Sequence, residues 1–151
     1  MSLQSQIVNM KALASLLSND LGYIYGDRES SPNGEKKVFL SRGGAFLRAL
    51  GKDLGFEVCK VHTNKAGIAV SGEVYLDGMW DTNGLHLSLE QGFGQNVILY
   101  RTITGFNSNL SGINRYITLS ELHRADYAGL VLKLLDLKEN DKNTTAINFA
   151  A

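Results

Sequence analysis

The sequence holds one cysteine, Cys59, and one proline, Pro32, in 151 residues. A lone cysteine excludes a disulfide within the chain and a zinc site built on several thiolates. No apolar run approaches the roughly 20 residues of a membrane-spanning helix. The N-terminus has no basic patch ahead of a short apolar core, so no signal peptide is expected and the expected location is the cytoplasm. An excess of either charge is missing too, since 15 Lys and Arg balance 15 Asp and Glu. What is there is ordinary globular material: 44% apolar and 20% charged residues. That composition excludes a disordered, collagen-like or coiled-coil chain. The length suits one domain that buries roughly 70% of the surface its unfolded chain exposes.

The zero net charge is unevenly laid out. Residues 1–35 carry −2, 36–65 carry +5, 66–100 carry −4 and 101–151 carry +1. The basic block is Lys36, Lys37, Arg42, Arg48, Lys52, Lys60 and Lys65. If it formed one patch, it would suit nucleic acid; blocks that neighbour each other would cancel instead.

Leu3, Ile7, Met10, Leu13 and Leu17 recur at helical spacing and predict a helix over 3–20, closed by Gly22. Residues 23–25 suggest a short strand. The polar stretch 27–37, with Pro32-Asn33-Gly34, reads as a loop. Ser41 reads as the N-cap of a second helix over about 42–54, with Phe46, Leu47, Leu50 and Leu54 buried and Gly55 closing it. From Phe56 the apolar period falls to two. Four strands are expected at about 56–63, 67–80, 84–90 and 96–104, separated by Gly- and Asn-rich turns. Symmetric hairpins would set Leu76 opposite Leu89, Asp77 opposite Ser88, Leu87 opposite Leu99 and His86 opposite Tyr100. Thr118-Leu119-Ser120-Glu121 spells a capping box that opens a helix running to about Leu137. The expected fold is α+β: a four-stranded antiparallel meander with about three helices on one face and room for one or two short extra strands. Residues 1–138 form the domain and 139–151 a polar, frayed tail.

An apolar sheet face covered by helices leaves the other face polar. On the expected registers that face carries Lys60, His62, Glu73, Tyr75, Asp77, His86 and Tyr100, with Ser71, Ser88 and Thr102. Histidines beside acids can divide acid and base roles, so a small enzyme using His62, His86, Glu73 and Asp77 is one reading. Their spacing matches no metal or catalytic motif, and neither a catalytic residue nor a metal or cofactor is assigned. Cys59 and His62 lie three apart on a strand and point to opposite faces, which defeats a thiol–imidazole pair. Ser41, Arg42, Gly43 and Gly44 at a helix start, with Arg48 and Lys52 further along, form a candidate anion or phosphate site. Trp80, Phe93 and Phe106 fall in turns or loops and are candidate anchors for a partner. The leading expectation is a non-enzymatic interaction module that binds a protein or itself through the open face and the loop aromatics. Nucleic-acid binding through 36–65 is the alternative, with Tyr75 and Tyr100 as stacking residues. No membrane partner is expected.

Overall fold

The computed structural model describes residues 2–18, 35–64, 73–93, 95–106 and 112–138. The expected strand at 23–25, Gly22, the loop residues 27–34, Lys65, Ser71 and the tail 139–151 lie outside them. In chain order the elements are α1 (Leu3–Ser18), α2 (Glu35–Asp53), β1 (Val58–Asn64), β2 (Glu73–Met79), β3 (Gly84–Phe93), β4 (Asn96–Ile103), β5 (Arg115–Thr118), α3 (Leu119–Arg124) and α4 (Tyr127–Asp136). The strands form one antiparallel sheet in sequential order. The fold is α+β as expected, with a fifth strand and a fourth helix.

Helix α2 starts at Glu35, six residues before the expected N-cap at Ser41. Phe39 is fully buried and extends the stripe of Phe46, Leu47 and Leu50 by two turns, so the helix gains burial by starting early. Gly43 and Gly44 therefore sit in a helix interior, where they cost helix propensity. Close packing accounts for Gly43 and for Gly51 two turns later. A Cβ at Gly43 would lie 3.1 Å from Leu89 and 3.3 Å from Val74; one at Gly51 would lie 2.7 Å from the Cys59 sulfur and 2.9 Å from Leu76. These bare positions let α2 settle onto β1, β2 and β3. The helix closes as the sequence predicts. Gly55 has φ +73°, its N–H donates to the Lys52 carbonyl, and Phe56 N–H reaches back to Gly51. This is a Schellman ending.

The registers differ from the symmetric ones. In the second hairpin Leu76 faces Leu87 and Asp77 faces His86. The ladder closes at Met79 and Gly84, because Trp80 leaves it to bury its indole. The Trp80 ring packs on Phe56 at 4.8 Å, and its Nε1 donates to the Leu54 carbonyl at 2.7 Å. Gly84 has no Cβ, which admits the Gly78 carbonyl that a side chain would strike. In the third hairpin Leu87 faces Tyr100 and His86 faces Arg101. The hairpin closes at Phe93 and Asn96 and not at Glu90 and Asn96, and this odd register turns β4 over; the irregularity between Leu89 and Phe93 adds two residues to β3 and leaves the faces unchanged.

Leu76, Leu87, Ile98 and Tyr100 thus line the covered face with Val74, Leu85 and Leu89. Helix α1 packs on α2, α3 and α4, and the rings of Phe46 and Tyr127 meet edge to face at 6.2 Å. The capping box at Thr118 and Glu121 is present. The single helix expected over 118–137 is instead two. Ala125 adopts φ +53°, and Asp126 caps α4 by accepting from Gly129 N–H.

Candidate functional site

The described helices all lie against one face of the sheet. Strand pairing sets what the other face presents, since directly opposed residues share a side. One row is His62 on β1, Tyr75 on β2, Ser88 on β3, Leu99 on β4 and Tyr116 on β5. The next is Lys60, Asp77, His86 and Arg101. Val58 and Met79 follow beside it.

The first row is built on Tyr75. Its ring stacks on His62 at 4.9 Å and lies 5.7 Å from His86. Both imidazoles are therefore on the same side of the sheet and touch one phenol ring. In the second row, His86 Nδ1 and Asp77 Oδ1 are 2.6 Å apart, with each side chain about one-fifth exposed. Hydrogen bonding to a carboxylate makes Nδ1 the protonated nitrogen and fixes the ring orientation. Nε2 of His86 has no hydrogen-bond partner among the described residues. Phe106 returns from the end of β4 across this face to β1, where Lys60 Nζ sits 4.6 Å from its ring centroid. Arg101 is partly covered, and its Nε is shut off from solvent without a hydrogen-bond acceptor. An oriented imidazole, two cations and a platform of rings can hold an anion or a flat group by charge and stacking.

Of the expected face, the structure brings together Lys60, His62, Tyr75, Asp77 and His86. Tyr100 is a correction. It is 5% exposed on the covered face, because the slip in β3–β4 moves it there and puts Arg101 in its place. Thr102 is buried opposite Leu85 for the same reason. Arg101 was hidden from sequence reasoning, since strands read as ending at 90 and resuming at 96 imply an even register, whereas the hairpin closes at Phe93 and Asn96. Glu73 pairs with Asn64 at the start of β2, but its side chain lies outside the described residues, as does that of Phe93.

The anion site at the expected helix start is also corrected. Ser41, Arg42, Gly43 and Gly44 lie within α2, where backbone N–H groups are taken by the preceding turn. Arg48 and Lys52 are exposed further along the same helix, and an added Cβ at Gly44 would meet the Arg48 guanidinium at 3.2 Å. The basic segment is divided as well. Lys37, Arg42, Arg48 and Lys52 project from α2, while Lys60 lies on the opposite side of the sheet. Trp80 is 3% exposed and belongs to the core, so it is no anchor.

Cys59 points to the α2 side, against Gly51, and His62 to the other, so the two form no pair. Cys59 is exposed at the sheet edge. Partial burial of its thiol, and then the Asp77 carboxylate, raise its pKa and make it a poorer nucleophile. His123 meets Ser18 at 3.0 Å, away from this face. A groove of about 170 Å³ between α1, β5, α3 and α4 is lined by Met10, Ile117, Arg124 and Leu130, with Glu121 and Lys133 paired at 3.1 Å in it. Among the described residues no three His, Cys, Asp or Glu side chains are placed to share a metal ion. No helix described is long and apolar enough to cross a membrane. No protein family, curated protein or solved structure matches the chain.

Proposed function

We propose that this chain is a non-enzymatic interaction module and that the helix-free face of its sheet binds a second copy of the same chain. The row Lys60–Asp77–His86–Arg101 carries this reading. An isologous contact requires a patch that complements itself, and this row holds both signs on one line. A second copy turned by a two-fold axis can set its Asp77 carboxylate against Lys60 or Arg101. The neighbouring positions supply the apolar part: Tyr75, Met79 and Leu99, with Val58 at 49% and Tyr116 at 41% exposure. Tyrosine, methionine and arginine are the residues that interface cores favour. A nucleic acid would meet Asp77 as a repulsive charge at the centre of the same row, and the divided basic segment offers it no single track.

Light scattering behind a sizing column tests this across a range of concentrations. The expected mass climbs toward twice that of the chain, and Tyr116→Ala or Leu99→Asp weakens association by about 10-fold or more. High salt weakens it too, because the charged row is partly solvated. A chain that stays monomeric at the highest concentration overturns the proposal. So does tight binding of a short single-stranded oligonucleotide that competes for Tyr75.

A further inference from the structure

We infer that Arg101 and His86 form an oxyanion seat on the helix-free face, one that takes a phosphoryl or carboxylate group. Three observations converge on it. Arg101 and His86 are directly opposed across β3 and β4, so their side chains rise from the same side about one strand spacing apart. The buried Arg101 Nε–H finds no acceptor among the described residues, although a guanidinium edge offers two parallel donors that fit an oxyanion. A buried donor left unmet is costly, and an acceptor brought by a ligand removes that cost. His86 is held by Asp77 through Nδ1, leaving Nε2 as its second contact point.

Among the described residues, few groups face this seat. Asp77 and Tyr75 face His86 from β2, Arg101 faces it from β4, and Lys60 lies beyond Asp77 on β1, its ammonium held over Phe106. Asp77, the one carboxylate among these described groups, is engaged with the imidazole, and Lys60 and Arg101 remain.

The seat belongs to one chain and does not require self-association. Its oxyanion can come from a free phosphate compound or, if the chain pairs with itself, from a carboxylate of the second copy. Titrating the full chain with inorganic phosphate at constant ionic strength, with chloride as control, tests it by nuclear magnetic resonance. The expected result is a saturable shift of the Arg101 Nε–H and His86 ring signals that chloride does not reproduce. Affinity falls about 10-fold in Arg101→Gln. His86→Ala keeps the Arg101 contact and weakens phosphate binding by removing Nε2, which keeps the test open if the arginine variant folds poorly. The seat is overturned if phosphate and chloride act alike, or if folded Arg101→Gln binds phosphate as the parent does. Light scattering with and without phosphate separates the sources. Phosphate that dissociates a dimer marks the seat as one filled by the partner's carboxylate. Phosphate that binds with no change of mass marks it as a seat for a free anion, and a monomer that binds phosphate removes the self-association reading alone.

Discussion

Gly55 and Tyr127 each test one physical term at the scale of a residue. Gly55 holds φ +73° with open space around its Cα, so an alanine there meets no neighbour and only the backbone conformation is strained. Gly55→Ala should cost about 1 kcal/mol, read as a lower urea midpoint at unchanged slope. Tyr127 is 3% exposed, and its hydroxyl donates to Asp53 Oδ2 at 2.5 Å. Burial first, and then the Asp53 hydrogen bond and charge, raise its pKa far above the ordinary tyrosine range, against a smaller opposing hydrogen bond with Gln6. Unfolding releases the phenol to ionise near its ordinary pKa of about 10. The stability tied to this group is thus whole below that pH and is lost as the pH rises above it. The expected outcome is a late-ionising tyrosine in the ultraviolet titration that is absent from Tyr127→Phe, together with a shallower alkaline loss of stability in the variant.

Helix α2 owes its position to what it lacks. In an isolated helix Gly51→Ala would gain roughly 1 kcal/mol of propensity. Here the added methyl would press on the Cys59 sulfur at 2.7 Å and on Leu76 at 2.9 Å, both belonging to the sheet beneath. Overpacking of this kind costs typically 1–3 kcal/mol, so the net change should be destabilising. Thermal melts should place Gly51→Ala below the parent; a rise in melting temperature would mean that α2 rides higher over the sheet than described. The capping box at the start of α3 behaves differently, because it titrates. Burial alone would raise the Glu121 pKa, but hydrogen bonds and charge from Lys133 and Thr118 outweigh it and lower it. A lowered carboxylate contributes stability that is present above its ordinary pKa of about 4.3 and is lost as the pH falls through the folded value. Glu121→Gln should therefore flatten part of the acid limb of the stability curve, measured by denaturant unfolding between about pH 5 and about pH 2.

At the scale of the whole molecule, the sheet has one face under helices and one without, and leucines on the two sides report the difference. Leu87 is fully buried opposite Leu76 and Tyr100, whereas Leu99 is partly exposed between Ser88 and Tyr116. Leu87→Ala should cost about 2–5 kcal/mol through transfer and cavity terms. Leu99→Ala should cost about 1 kcal/mol or less in the isolated chain. Equal costs would mean that the second face is covered as well. The helix-free face is not open throughout, since Ser88 and Ile103 on it are 4% and 3% exposed, so the binding proposals rest on its partly exposed residues Tyr75, Asp77, His86, Leu99 and Arg101.

The chain's own pattern determined the class of this protein and most of its elements. Helical spacing marked α1 and the buried side of α2, alternation marked the strands, and local chemistry marked the Gly55 ending and the Thr118 capping box. All of these follow from interactions within a few residues, which is why one segment suffices to read them. Alternation also put Lys60, His62, Tyr75, Asp77 and His86 on a single side, because parity within each strand and odd pairing between neighbours settle that much. What the sequence left open was fixed between elements. The start of α2 was decided by burial of Phe39, and the closure of the second hairpin by the seat of Trp80 under Phe56. Closure of the third hairpin at Phe93 and Asn96 exchanged Tyr100 for Arg101 on the helix-free face. A strand's side chains alternate strictly, so a single slip in register moves a whole strand from one face to the other. Only the packed sheet, weighing Tyr100 against Arg101 for a place beneath the helices, could choose the phenol ring and leave the guanidinium outside.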